Sequence, residues 1–524
     1  MAKELLNECK STHHQCNAHA DRTFMPARVL DLRPDTFQNG LVRVMSVPEG
    51  FKEPYAALSY CWGNSQNVRL TEDLLPRFTG EGINLHRLPT TIREACDVCT
   101  GLDIRYLWVC SLCIVQDVDL DWQQQSAEMS AIYNYSELTL SAAAGRNCEA
   151  GIFRHAPDEV ECLSEMNWHD AKGRYGTCWV RQRPVRDFKE PTDCRGWTLQ
   201  ETLLSQRLLV MGTTQISWQC ATSRWNESGT MYRPIYGSNQ IFPCPPLEYS
   251  ISRAEKTLSN RECSIHEIWQ SLVRNYARRR LTLPKDKLPA VSGIARWLSD
   301  RLINDEKYLA GLWLSQLPRC LLWYNDLVYP AREDQASKPT AYRAPSWTWA
   351  SLDSEYLEWL ETPAEDQYAI VLDHALSYKG VDSFGEVLNG RLDVEGPVKK
   401  GWLVPSTNYP EQYDLWGDNW TSGLTDTRPN HLNASLGPAH LDVYSQTDIG
   451  DIAGEVGGEA RVRSCECLRV TTKAGLILAP PDSCDGNGDD FSNRQRQRIG
   501  IVVFKDGAGT EWWSSAVNMI VRLV

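Results

Sequence analysis

The stretch from Tyr55 to Ala142 alternates short apolar runs with segments of helical spacing, and this alternation restricts the folds open to the chain more than any other feature. Tyr55-Ala-Ala-Leu-Ser-Tyr60 is an apolar run stopped by Cys61-Trp62-Gly63-Asn64, which predicts a strand ending in a turn. Pro89 opens the segment Thr90 to Thr100, where Ile92, Ala95, Cys96 and Cys99 recur at helical spacing, and Gly101 ends it. Ile104 to Cys110 predicts a second buried strand, Asp121 to Tyr133 a helix with an acidic first turn, and Glu137 to Ala142 a third strand. Strand, helix, strand, helix, strand in this order predicts an α/β fold with a parallel sheet and right-handed crossovers. Ligands of such sheets collect beyond the carboxyl ends of the strands. Two loops lie at such ends, Ser59 to Asn64 and Cys110 to Asp117.

Further along, Arg195 to Leu204 reads as a short helix, and Arg207 to Met211 with Gln215 to Cys220 as a hairpin across Gly212. Glu262 to Arg280 and Leu288 to Leu302 carry helical apolar faces. From about Gln367 onward the pattern turns to short strands such as Ala369 to Asp373 and Ile499 to Phe504. The predicted organisation is a lead-in over 1–50 with Cys and His, an α/β domain over 51–225, and a mainly helical region over 226–355 packed on that domain. A β-rich C-terminal region follows over 356–524, with a mobile segment at 402–458, rich in Asn, Asp, Gly, Thr and Pro.

Composition narrows the partners. With 524 residues, 42% hydrophobic and 23% charged, the chain has the makeup of a globular protein of several domains. A formal charge of −13, with Arg278 to Arg280 the densest basic run, argues against a nucleic-acid surface. No run approaches the roughly 20 apolar residues that span a bilayer, and the start lacks an apolar core of secretory type. A cytoplasmic protein is therefore expected, its 18 cysteines mostly buried reduced thiols. The group Cys9, His13, His14, Cys16 and His19 offers a tetrahedral set in Cys9, His14, Cys16 and His19, but reads more simply as a packed helix-turn. Neither Cys110 with Cys113 nor Cys465 with Cys467 has a second ligand pair at the distance a structural zinc site needs, so no metal and no cofactor is expected.

Five blocks of this chain resemble the fungal heterokaryon-incompatibility (HET) family: Tyr55-Ala-Ala-Leu-Ser-Tyr-Cys-Trp-Gly63, Leu88-Pro-Thr-Thr-Ile-Arg-Glu-Ala95, Tyr106-Leu-Trp-Val-Cys-Ser-Leu-Cys-Ile-Val-Gln-Asp117, Met129-Ser-Ala-Ile-Tyr133 and Arg195-Gly-Trp-Thr-Leu-Gln-Glu201. More loosely, Cys9 with His14 and Cys16 is similar to the family's lead-in, and Leu288 to Gly293 and Arg343 to Ser351 to segments that follow the domain. The resemblance implies a role in self/non-self recognition during fungal cell fusion, ending in growth arrest and cell death. It also implies a TIR-like or Rossmann-like sheet, remotely similar to TIR domains that cleave NAD or signal by assembly. One position departs: where the family usually has Asp, this chain has Cys110.

The residues permit an active site. Cys113, just past a strand end, is a candidate nucleophile whose pKa a helix N-terminus would lower, and Glu201, beside Trp197 and Gln200, is a candidate general acid or base. Cys110 joins them as the replaced Asp. Ser59, Tyr60, Trp62, Gly63, Gln116, Asp117, Arg195, Trp197 and Gln200 are candidate ligand-positioning residues. A Cys-His or Ser-His-Asp mechanism needs a distant histidine such as His155 or His266. Three readings stand: an effector that signals through a protein partner or self-assembly, an enzyme acting on a small molecule as hydrolase or transferase, and an inactive scaffold marked by Cys110. The partner is an unknown small molecule or protein, with a homo-oligomer left open.

Overall fold

A computed structural model describes residues 1–18, 24–33, 37, 39–64, 68–153, 163–171, 173–181, 189–227, 265–300, 306–326, 336–363, 366–405, 413–417, 435–442, 463–479, 495–505 and 512–524. The chain forms two compact units, Met1–Cys263 and Ser264–Val524.

The first unit begins with α1 (Ala2–Thr12) and α2 (His14–Ala18), followed by strands β1 (Arg28–Asp31), β2 (Leu41–Ser46) and β3 (Tyr55–Ser59). Next come α3 (Leu75–Gly80), β4 (Ile83–Asn84), α4 (Thr90–Gly101), β5 (Tyr106–Trp108), α5 (Cys110–Cys113), α6 (Asp119–Asn134) and β6 (Leu138–Ser141). The unit closes with β7 (Leu163–His169), β8 (Tyr175–Arg181), α7 (Thr198–Leu203), β9 (Arg207–Met211), β10 (Ile216–Cys220) and β11 (Arg224–Asn226). Nine strands make one sheet in the order β11-β10-β9-β6-β3-β5-β1-β2-β4.

Its centre follows the expected alternation. β3 pairs in parallel with β5 on one side and β6 on the other, and β6 pairs in parallel with β9. Every residue of β3 is buried, as a strand covered on both faces must be. Ala56 and Leu58 face one layer, where Ile92, Ala95, Cys96 and Cys99 of α4 pack with Leu107 and Leu140. Tyr55 and Ala57 face the other, against Trp108 and Met129, Ile132 and Tyr133 of α6. The helical spacing read from Thr90 onward and the acidic turn read at Asp121 therefore mark two helices on opposite faces of one sheet.

The sheet as a whole is mixed, which corrects the expectation of a parallel one. β1 pairs antiparallel with both β5 and β2, and β2 with β4. At the far edge β9, β10 and β11 form an antiparallel meander. Short connections are the physical reason for the two hairpins: parallel neighbours need a crossover of a dozen or more residues, whereas nine residues join β1 to β2 and four join β9 to β10. The lead-in over residues 1–50 thus supplies two strands of the same sheet.

In the second unit the predicted helices are α8 (Ile265–Ala277) and α9 (Pro289–Ser299). Short antiparallel pairs follow, β12 (Tyr308–Leu309) with β13 (Leu312–Trp313) and β14 (Trp323–Asn325) with β15 (Leu357–Trp359). The described part of 226–355 is thus less helical than its spacing suggests. The last strands are β16 (Ile370–Tyr378), β17 (Val387–Pro405), β18 (Tyr413–Trp416), β19 (Gly437–Leu441), β20 (Arg463–Arg469), β21 (Ala474–Ala479), β22 (Gln495–Val503) and β23 (Val517–Leu523). They form the β-rich region expected after residue 356, one sheet around the long β17. Within the segment 402–458, β18 and β19 are ordered strands, and its remainder lies largely outside the described residues. Among the described residues no helix is long and apolar enough to cross a membrane.

Arg498 of β22 is fully buried in this second unit. It donates two 2.7 Å hydrogen bonds to Asp442, donates to the Trp323 carbonyl, and lies over the Trp323 ring. Removing one partner of such a pair leaves a buried charge uncompensated. Asp442→Ala should cost the second unit about 3–5 kcal/mol, read as a lowered denaturation midpoint. A loss below about 1 kcal/mol would mean that water reaches Arg498.

Candidate functional site

The chain leaves β3 by one crossover to β5, then returns by α6 to β6 on the opposite side. Strand order reverses there, so the crevice beyond the carboxyl ends of β3 and β6 is the place where an open sheet of this kind accepts a ligand. Side chains from separate sequence blocks gather at this rim.

Ser59 ends β3, fully buried, and its Oγ has no hydrogen-bond partner among the described residues. The next residues are pinned. Tyr60 donates through its hydroxyl to Ser111 Oγ at 2.9 Å, and its carbonyl accepts from Arg195 Nη1 at 2.8 Å. Gly63 has φ +65°, and a Cβ there would stand 2.3 Å from that of Asn147, so the turn after β3 admits only glycine. Trp62 is thereby turned so that its Nε1 donates to Cys110 Sγ at 3.1 Å. Cys110 is half-buried beyond β5, and its thiol is pushed up to about 12, first by burial and next by the charge of Glu201. It is a neutral thiol near neutral pH.

Glu201 reaches the rim from α7, which packs on β3 and β6. Only 6% of it is exposed. Tyr133, from the end of α6, is held well above the usual phenol range by burial, then by the Glu201 charge, and its hydroxyl also donates to the Leu58 carbonyl at 3.2 Å. Cys61 is raised by burial, opposed by Arg195. The rim therefore holds a carboxylate and a guanidinium among two neutral thiols, a phenol, an indole and an unpaired buried hydroxyl. Such a group can bind a polar ligand and move one proton through Glu201.

The structure brings Ser59, Tyr60, Trp62, Cys110, Arg195 and Glu201 together, and Gly63 shapes their loop. The other candidates stand apart. Cys113 is the last residue of the four-residue α5 and is buried beneath α6 with Trp108, Met129 and Ile132. Burial pushes its thiol up to about 12, so the lowered pKa expected from a helix N-terminus is corrected. Gln116 donates to the carbonyls of Cys110 and Ile114, each at 3.0 Å, and Asp117 accepts from the Glu72 backbone N–H. Both hold the loop. Trp197 meets Trp122 edge to face, and Gln200 is buried with its amide toward Met129 Sδ. His155 lies outside the described residues, and His266 belongs to the second unit, where it meets Ser315. Tyr133 and Cys61 were missed as site residues although both lie inside motif blocks. Their signal was the block itself, a polar atom carried at a position that periodicity reads as core.

All fourteen described cysteines are free, and all but Cys110, Cys178 and Cys194 are buried. Alkylation of the native protein at neutral pH, mapped by mass spectrometry, should label the exposed Cys178 and Cys194 well ahead of Cys110 and Cys113. Labelling of Cys113 first would restore it as a thiolate.

No curated protein and no solved structure matches the chain. Against family models, residues 55–201, from the first residue of β3 to Glu201, match Heterokaryon incompatibility protein (HET). The residues of the rim lie within the matched stretch, which also contains the five sequence blocks.

Proposed function

We propose that the chain is an effector of fungal self/non-self recognition whose HET domain, acting in the cytoplasm, commits the cell to growth arrest and death through the rim at the carboxyl ends of β3, β5 and β6. One observation carries this reading: residues from blocks as far apart as Ser59 and Glu201 meet around a buried carboxylate at the reversal of strand order. Burying a carboxyl costs stability, so one held at this rim answers to more than packing. The parallel strands run spatially β5-β3-β6-β9, the order 2-1-3-4 of doubly wound sheets, which supports the TIR-like or Rossmann-like resemblance. Controlled expression in a fungal host should arrest growth, and Glu201→Gln at equal protein level should relieve it. Undisturbed colonies at high wild-type expression would overturn the proposal.

A second reading, enzymatic action on a small molecule, is favoured by the same carboxylate. Glu201 would be the general acid or base of a hydrolase for a nucleotide-type ligand, with Arg195 and Ser59 meeting polar groups of the substrate. The neutral Cys110 thiol then leaves one carboxylate where the family pattern has two. Glu201→Gln should lower any turnover by about 10²–10⁴-fold with the thermal midpoint nearly unchanged. Cys110→Asp would place a second carboxyl beside Glu201, and like charges this close raise the pKa of the pair. Increased toxicity or turnover in Cys110→Asp, with an activity profile shifted to higher pH, is expected. A loss would show that the thiol itself is used.

A further inference from the structure

We infer that the first unit contains a structural zinc site formed by Cys9, His13, Cys16 and Cys220. Their ligand atoms, three Sγ and an imidazole nitrogen, all lie within 4.8 Å of one another. A tetrahedral zinc with bonds of about 2.3 Å to sulfur sets sulfurs about 3.8 Å apart, so the four groups need to close by an ångström at most. His13 and Cys220, 207 positions apart in sequence, already approach to 3.5 Å between Nδ1 and Sγ.

The local structure presents each donor. Cys9 is on the buried side of α1 beside Leu6, and His13 is the residue at which the chain leaves that helix. The Cys16 backbone N–H donates to the His13 carbonyl at 3.1 Å, and α2 carries the Cys16 side chain back toward Cys9. Cys220 ends β10, and the turn into β11 folds over its sulfur, with the Ser223 backbone N–H donating to Sγ at 3.2 Å. Thr222 Oγ1 stands 3.5 Å from Cys16 Sγ. His14, the histidine grouped with these cysteines in the sequence, is exposed. His19 lies outside the described residues.

Charge completes the argument. Arg207, at the start of β9, is only 4% exposed, and its Nε donates to Cys9 Sγ at 3.2 Å. Its other acceptors are the carbonyls of Cys16 and Glu137 and the Asn17 side-chain oxygen, all neutral. A buried guanidinium requires an anion. Three thiolates and a neutral imidazole around Zn²⁺ carry one net negative charge, which Arg207 balances. N–H donors to ligating sulfurs are the outer layer by which proteins hold such sites. Binding converts three thiols to thiolates, releases three protons to solvent, and leaves no open coordination position. Soft sulfur with imidazole in a closed tetrahedron selects zinc among the abundant divalent ions. The site clasps α1 and α2 to the β10–β11 turn.

The test uses the full chain, expressed with zinc and measured by elemental analysis. One equivalent of zinc per chain is expected, together with a lowered thermal midpoint after removal by a strong chelator. Replacement by Co²⁺ should give the intense visible absorption of tetrahedral cobalt thiolate. Cys220→Ala should lose the metal. Because loss of a structural metal lowers stability, His13→Cys serves as the second variant: it should keep one metal and move the cobalt bands. Arg207→Gln should weaken binding about 10- to 100-fold. Metal-free protein that takes up no zinc, a disulfide between any two of the three cysteines in freshly reduced and purified chain, or a cobalt spectrum unchanged in His13→Cys would each overturn the inference.

Discussion

The first unit depends on β3 being apolar on both faces. A strand of five buried residues cannot lie at an edge, so it must acquire a neighbour on each side and a helical layer above and below. The two crossovers that follow it supply these, sending β5 to one side with α4 on one face and β6 to the other with α6 on the opposite face. Once β3 is central, its carboxyl end has to be the point where strand order reverses. Burial of Ala56, Ala57 and Leu58 thus places Ser59, the last residue of the strand, at the crevice.

The same burial sets the electrostatics of the rim. Exclusion of water raises the cost of every charge there, and the thiols of Cys61, Cys110 and Cys113 respond by staying protonated. Glu201 enters the same rim from α7, next to the turn that carries Arg195, whose guanidinium donates to the Tyr60 carbonyl. α7 and the turn before it thus bring a carboxyl and a guanidinium to the rim from separate elements. Cysteine at position 110 adds no second carboxyl beside Glu201, whereas aspartate would place two in one poorly hydrated space.

The central layers were legible because local spacing decides them. Thr90–Gly101 is long enough for a period to show, Asp119–Asn134 opens on acidic residues, and Tyr55–Ser59 is apolar enough to stand out. The sheet edges were not, since β1, β2 and β4 are short and owe their place to partners far along the chain, which no local pattern records. At the site, glycine and aromatic motifs pointed to the right rim, but a motif cannot report burial. Cys113 sits in a block as suggestive as that of Cys110, and only packing under α6 separates an inert thiol from one that faces Glu201. Cys220 escaped for a third reason, its separation in sequence from the Cys9–Cys16 group, and within that group the spacing favoured His14 over its neighbour His13.

Rim and zinc cluster are also linked through the sheet. Arg207, which balances the charge of the cluster, begins β9, and β9 pairs with β6 from Thr139 to Ser141, the strand that borders the crevice with β3. A shift of register in β9 by one residue would exchange the faces of Leu208 and Leu209 and carry the hairpin away from α1. The cluster, fixed to both the lead-in and the end of β10, opposes that slip. A site with no open coordination position can in this way preserve the rim without taking part in its chemistry, so the lead-in and the hairpin belong to the working domain although they lie outside the five sequence blocks.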